Sequence, residues 1–468
     1  MDWFTAPEYW FSRLVLELGI AGVYLIAFVC AARQFRALLG EHGMLPIPRY
    51  LSGVSFRQAP SIFHWHYSDR FFAAVAWSGV ALSAALVAGA GDLVPLWAAM
   101  LGWLLLWVLY LSIVNVGQRW YAFGWESLLL EAGFLAVFLG NDSTPPPVLV
   151  IWLARWLVFR TEFGAGLIKL RGDRCWRDLT CLYYHHETQP MPGPLSWFFH
   201  HLPKPLHRIE VAVNHVTQLV VPFGLFAPQP VATVAGAIVV VTQLWLVISG
   251  NYAWLNWLTL VLAFSAIAGP VPISPMPAAP PTWFVVLVIA FSVLVMVLSY
   301  GPVRNLLSPR QRMNASFDSL HLVNTYGAFG SIGRIRREVV IEGTADADIT
   351  DETVWQEYEF KGKPGAVGRL PRQWAPYHLR LDWMLWFAAI SPTYGRQWFV
   401  GLLERLLRND VATLKLLRHN PFQDSPPRYV RAQVFRYRYT TARELWHDRV
   451  WWHRTLEGQY FPPVTLPD

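Results

Sequence analysis

Apolar residues run in long blocks through the first three hundred positions and then give way to short alternations. The first block, 14–32, is interrupted only by Glu17. At about 1.5 Å per helical residue it covers a hydrocarbon core about 30 Å thick. Comparable blocks occupy 71–89, 93–116, 126–139, 148–168, 211–226, 231–249, 251–268 and 282–299. The pattern predicts about nine membrane-spanning helices, with 126–139 and 211–226 short for a crossing. Before the first block stand Asp2, Glu8 and a single cation, Arg13, and no small-residue cleavage motif closes it, so it reads as a span and not as a signal peptide. Beyond 301–302 the period becomes two. Runs at 335–341, 354–360, 378–383 and 430–439 predict strands with one face on a core. The stretch 361–365, KGKPG, is a turn, and helical spacing resumes at 394–409 and 441–452. The chain reads as a polytopic α-helical membrane bundle, 1–300, followed by a predominantly β soluble C-terminal domain with a few helices, 301–468.

Composition agrees. Hydrophobic residues make up 54% of the 468 and charged residues 15%, against roughly 25% charged in an ordinary soluble domain. The net charge of +7 would suit nucleic acid, but no helix-turn-helix, RNA-recognition or zinc-finger pattern accompanies it, so no nucleic-acid partner is expected. The cations instead flank the spans, where the lipid bilayer is the partner. Arg33, Arg36, Arg49, Arg57 and Arg70 fill the first connection, Arg119 the third, and Lys169, Arg171, Arg174, Arg177, Lys204 and Arg208 the fifth, whereas 90–92, 140–147 and 227–230 carry none. With nine spans, this alternation puts the N-terminus outside and the C-terminal domain in the cytoplasm.

A plain connection between helices needs about 2–8 residues. The one near 169–210 is far longer and is dense in His, Trp, Tyr and Pro, which makes Trp176, Asp178, Tyr184, His185, His186, Glu187 and Gln189 the candidate functional surface. Arg160 and Glu162 form a candidate intramembrane polar site, because an ionisable group at membrane depth is costly unless paired. Two positions apart, they occupy different helix faces, so a partner such as Glu126 or Glu131 is expected from another helix. His64 and His66, the adjacent pairs 185–186 and 200–201, and His207 and His215 lack HExxH or two-Cys-two-His spacing. They read as a structural polar network, and no metal, cofactor or catalytic residue is assigned. In the tail, His378, Asp382 and His419 have the residue types of a triad without any motif to assemble them. Cys30 lies in an apolar span; Cys175 and Cys181 are close enough to bridge in a bent loop, yet they form no CxxC motif and the charge rule puts them on the reducing side.

The segment 175–203, CWRDLTCLYYHHETQPMPGPLSWFFHHLP, with Asn214, His215 and the LVVPF run at 219–223, resembles the lipase maturation factor family. Two tail segments resemble its C-terminal domain: 355–365, WQEYEFKGKPG, and 380–390, RLDWMLWFAAI. The resemblance covers nearly the full chain. It implies a membrane protein that helps a secreted lipase client reach its folded, active dimer, with no reaction established for the family. An endoplasmic-reticulum membrane follows from the animal members, and a bacterial-type cell membrane is equally compatible. Two other classes stand beside it: a membrane enzyme acting on a lipid or polypeptide through Arg160, Glu162 and the neighbouring His185 and His186, and a transporter, against which the lack of an internal repeat argues.

Overall fold

In the computed structural model of the protein, residues 3–269 and 279–466 are described. The main helices of the first part are α1 (Trp10–Leu38), α2 (Asp69–Val87), α3 (Leu96–Val116), α4 (Gly124–Ala136), α5 (Val148–Arg171), α6 (Leu182–Thr188), α7 (Lys204–Leu219), α8 (Val231–Ser249), α9 (Leu255–Ala263) and α10 (Thr282–Leu298). Among the described residues, five are long and apolar enough to cross a membrane: α1, α2, α3, α8 and α10. Their outward residues, such as Val241, Met296 and Val297, are exposed from the protein and suit lipid.

The expectation of nine spans is therefore corrected, for identifiable reasons. Helix α4 has 13 residues and reaches only about 20 Å; its Leu128, Leu129 and Leu130 are fully buried, so its apolarity reflects packing against protein. Helix α9 is shorter still, with Leu258 and Leu262 buried in the same way. The block 211–226 is cut at Val220, beyond which a four-residue turn, Val221–Gly224, carries Pro222 and cannot extend α7. Helix α5 has 24 residues, about 36 Å, but buries Arg155, Arg160, Glu162 and Lys169. After α10 a further helix, Tyr300–Leu307, runs through positions 301–302, with Pro302 tolerated in its first turn.

The C-terminal part holds a four-stranded antiparallel sheet ordered β2-β1-β3-β4, with β1 Arg336–Thr344, β2 Gln356–Glu357, β3 Tyr429–Tyr439 and β4 Trp452–Val464. Val339 faces Val434 and Ile341 faces Ala432 across the β1–β3 pair. The strand expected at 378–383 is instead the start of α11 (Arg380–Ile390), whose first six residues are all buried. A helix enclosed on every side shows no polar face, so its period is hidden in the sequence. The run 394–409 contracts to α12 (Phe399–Leu407). The run 441–452 contracts to α13 (Ala442–Asp448), opened by a capping box between Thr441 and Glu444 and closed by Arg449 at φ 54°. The chain then enters β4, a strand that the sequence pattern does not reveal; Gly458, Pro462 and Pro463 disguise it, and an edge position tolerates them.

Helix α4 ties the two parts together. Glu126 accepts from Arg380 Nη1 at 2.7 Å and from the Tyr110 hydroxyl, and Arg380 also donates to Trp120 O at 2.6 Å and lies over the Tyr121 ring. Glu131 receives Arg160 together with the Asn324 backbone N–H at 3.1 Å and the Tyr326 hydroxyl at 2.7 Å. Both carboxylates and both arginines are buried. Removing one partner of such a pair leaves an uncompensated charge and costs about 3–5 kcal/mol. We expect Glu126→Gln and Arg380→Met to destabilise the detergent-solubilised protein by that order each in denaturant unfolding. The double variant should lose at least about 2 kcal/mol less than their sum; strict additivity would show that the two groups do not depend on each other.

Candidate functional site

The segment 173–207 folds into three short helical pieces wedged between the ends of the bundle and the sheet. Asp173 opens the first, Arg174–Arg177, by accepting from Cys175 N at 3.0 Å, and its carboxylate pairs with Arg334 at 2.8 Å. That hydrogen bond to Arg334 holds the Asp173 carboxyl below its ordinary range. Cys175 and Cys181 are joined in a disulfide that closes the turn between the first piece and α6. Beneath it the Trp176 indole donates to Phe329 O at 2.8 Å.

Helix α6 ends in a polar network. Tyr252 donates its hydroxyl to Gln189 Oε1 at 2.6 Å, which leaves the oxygen to accept from His185 Nε2 at 2.9 Å. Gln189 donates in turn to Ser196 Oγ at 2.7 Å and Ser249 O at 3.2 Å. Arg336 enters from β1 and donates to three carbonyls at the helix end, Glu187 O at 2.8 Å, Gln189 O at 2.5 Å and Pro190 O at 3.1 Å. Those are the carbonyls a helix C-terminus leaves without partners, where a cation is also favoured by the dipole. Glu338 pairs with the far side of Arg336 and also receives Lys363 at 3.1 Å. The Glu187 carboxylate accepts from Tyr439 N at 2.8 Å, and Trp197 and Trp386 donate to Thr440 O and Thr188 O. The segment is thus stitched to β1, β3 and α11.

Burial sets the protonation states. It pushes the His185 imidazole down to about 3 and that of His200 to about 4, so both are neutral at physiological pH, and it raises the Glu187 carboxyl. A neutral His185 fits its place as a donor to Tyr252.

The seven candidate surface residues separate accordingly. Trp176, His185, His186 and Gln189 are buried, Tyr184 and Glu187 half-buried, and Asp178 exposed. Sequence density located the segment; it did not show that most of these side chains point inward. Arg160 and Glu162 do not meet. Arg160 is held by Glu131 and donates to Asn324 O at 2.7 Å. Glu162 accepts from Gln243 at 2.5 Å and Gln218 at 3.2 Å, and Gln218 and Asn214 in turn take the ammonium of Lys169 at 2.8 Å each. Sequence reasoning missed Arg336, Tyr252 and Asn251. The last of these accepts from Trp374 N and Ala375 N and donates to Pro192 O. No sequence signal separated Arg336 from Arg337 beside it, in a strand that also carries Glu338 and Glu342.

Comparison with known proteins bears on both parts of the chain. Residues 11–271 match the family model described as the lipase maturation factor transmembrane domain, and 322–462 match that described as the lipase maturation factor C-terminal domain. Lipase maturation factor 1 of Bos taurus is 42% identical over 99% of this chain and 90% of its own length. Its counterpart in Homo sapiens is 40% identical over 98% and 89%. Lipase maturation factor 2 of Mus musculus is 30% identical over 98% and 83%. No solved structure matches the chain.

The network leaves no room at Gly250. A methyl added there would sit against Gln189 Oε1 and 2.5 Å from Tyr252 Cε2. Overpacking of this kind costs about 1–3 kcal/mol. We expect Gly250→Ala to loosen 182–200 selectively, seen as faster amide hydrogen exchange in that segment with α1–α3 unchanged. Uniform exchange rates would mean that the Tyr252–Gln189 bonds do not hold the segment.

Proposed function

Because the chain belongs to the lipase maturation factor family, we propose that it is a membrane-embedded folding factor for a secreted lipase, acting from the joint between 173–207 and the C-terminal sheet. Its near full-length identity with lipase maturation factor 1 carries this reading, since the identity spans both the membrane bundle and the sheet. A folding factor needs only to bind immature and mature client differently; no covalent change is required. The joint suits that task. Its hydrogen-bonded interior is rigid, and along its edge Leu195, Phe198, Leu206 and Ile209 are exposed, the kind of apolar surface that marks an interaction site. In this reading Trp176, His185, His186 and Gln189 support the client-facing edge from beneath, and Asp178 lies on it. The enzyme reading fares worse, because Arg160, Glu162 and His185 each engage a different set of partners.

The orientation follows from two opposed arguments. Cation alternation puts the joint in the cytoplasm, and five spans, also an odd number, keep that parity. A disulfide between Cys175 and Cys181 belongs on an oxidising side. We place the joint and the C-terminal domain on the extracytoplasmic or lumenal face, where a secreted client folds.

Co-expression with a secreted lipase from the same cell should raise the specific activity and the dimeric fraction of the lipase while its intact mass stays constant. Leu195→Ser combined with Phe198→Ser should reduce the active yield severalfold at unchanged factor abundance. A client mass shift that depends on Glu162 would instead establish an enzyme. Orientation is read separately. A cysteine placed at the exposed Asp178, in a protein lacking Cys30, should react with an impermeant thiol reagent from the extracytoplasmic or lumenal side of sealed membranes, and reaction only after permeabilisation from that side would reverse the assignment.

A further inference from the structure

Three groups at the joint stand apart from the network that ends α6. His186, on α6, is 2% exposed, and neither of its ring nitrogens has a hydrogen-bond partner among the described residues. His207 and Glu210 stand three apart on α7 and so share one face of that helix. One ligand atom from each of His186, His207 and Glu210 lies within 4.8 Å of the other two.

The outer contacts are those of ligands held in place. His207 Nε2 faces His200 O at 3.3 Å. Donating there fixes the tautomer and leaves a lone pair on Nδ1, which is buried and unpartnered among the described residues. Glu210 Oε1 accepts from the Trp245 indole N–H at 2.7 Å, so the second oxygen is available. Metal-bound imidazoles and carboxylates are oriented by such bonds. A buried imidazole with both nitrogens idle is destabilising and calls for an explanation. A cation supplies one for His186 and His207 together.

We propose that His186, His207 and Glu210 bind a divalent transition metal of the zinc type. Two imidazoles and one carboxylate match the ligand set of zinc sites that keep a fourth position open. Bonds of about 2.0–2.2 Å in a tetrahedron need donor atoms about 3.4 Å apart, a contraction of at most about 1.4 Å from the observed separations. The open position lies on the side of Glu210, the one partly exposed member. The metal staples α6 to α7, and through Glu187, the neighbour of His186, it bears on the contact with Tyr439 in the sheet.

The full chain, purified in detergent on a tag without histidine, is stripped with chelator, reloaded with zinc sulfate and desalted. Elemental analysis should find close to one zinc per chain. Glu210→Gln keeps an acceptor for Trp245 and removes the anionic ligand, and it should lower bound zinc at least fivefold, as should His207→Ala. His447→Ala combined with His453→Ala, in the C-terminal domain, should leave it unchanged. X-ray absorption on the loaded protein should show two imidazoles around the metal. Zinc should also raise the melting temperature of the wild type and leave that of Glu210→Gln unmoved. Undiminished zinc in both ligand variants, or no retained zinc in a wild type with a native elution profile and circular dichroism spectrum, would overturn the proposal.

Discussion

A carboxylate sealed away from water has to be given a cation or lose its charge, and this chain seals two of them on one short helix. Glu126 and Glu131 lie five positions apart on α4, on different faces. Each is answered partly from the far end of the sequence, Glu126 by Arg380 and Glu131 by Asn324 and Tyr326 as well as by Arg160. The membrane bundle therefore does not complete its own charge balance. It is finished by the C-terminal part, which supplies Arg380 to Glu126 and Asn324 and Tyr326 to Glu131.

The second tie has the opposite polarity. At α4 the bundle offers anions and the tail supplies a cation and hydrogen-bond donors. At α6 the segment 173–207 offers helix-end carbonyls and the tail supplies Arg336. Long aromatic donors, Trp197 and Trp386, fill in around it. These contacts account for much of the aromatic content of the segment. A loop that must satisfy polar backbone while wedged between two domains needs side chains that reach far and still present an N–H or O–H.

What the sequence made legible were features with a period or a cost. The five long spans stood out by their apolar runs, β1 and β3 by short alternating stretches, and Arg160 because an arginine at that depth requires a partner; Glu131 was one of the two named for it. The failures have physical causes. Helices α4 and α9 are as apolar as spans because they are surrounded by protein. Helix α11 mimics a strand because all its faces are buried, and β4 carries prolines that only an edge allows. In the segment 173–207 the residues were legible but their directions were not, since composition cannot tell a side chain that reaches outward from one that closes a network. His186 and His207 escape any spacing rule because 20 residues and a turn of chain separate them.

The charge balance at α4 also imposes an order on synthesis. Arg380 leaves the ribosome 254 residues after Glu126, so the helices of the bundle are laid into the bilayer well before the cation that neutralises that carboxylate exists. During this interval Glu126 must stay protonated or hydrated, and α4 cannot settle into its final dry position. A chain that stops short of residue 380 would remain in this half-assembled condition permanently. The last third of the polypeptide thus completes a charge balance that the first part cannot close by itself.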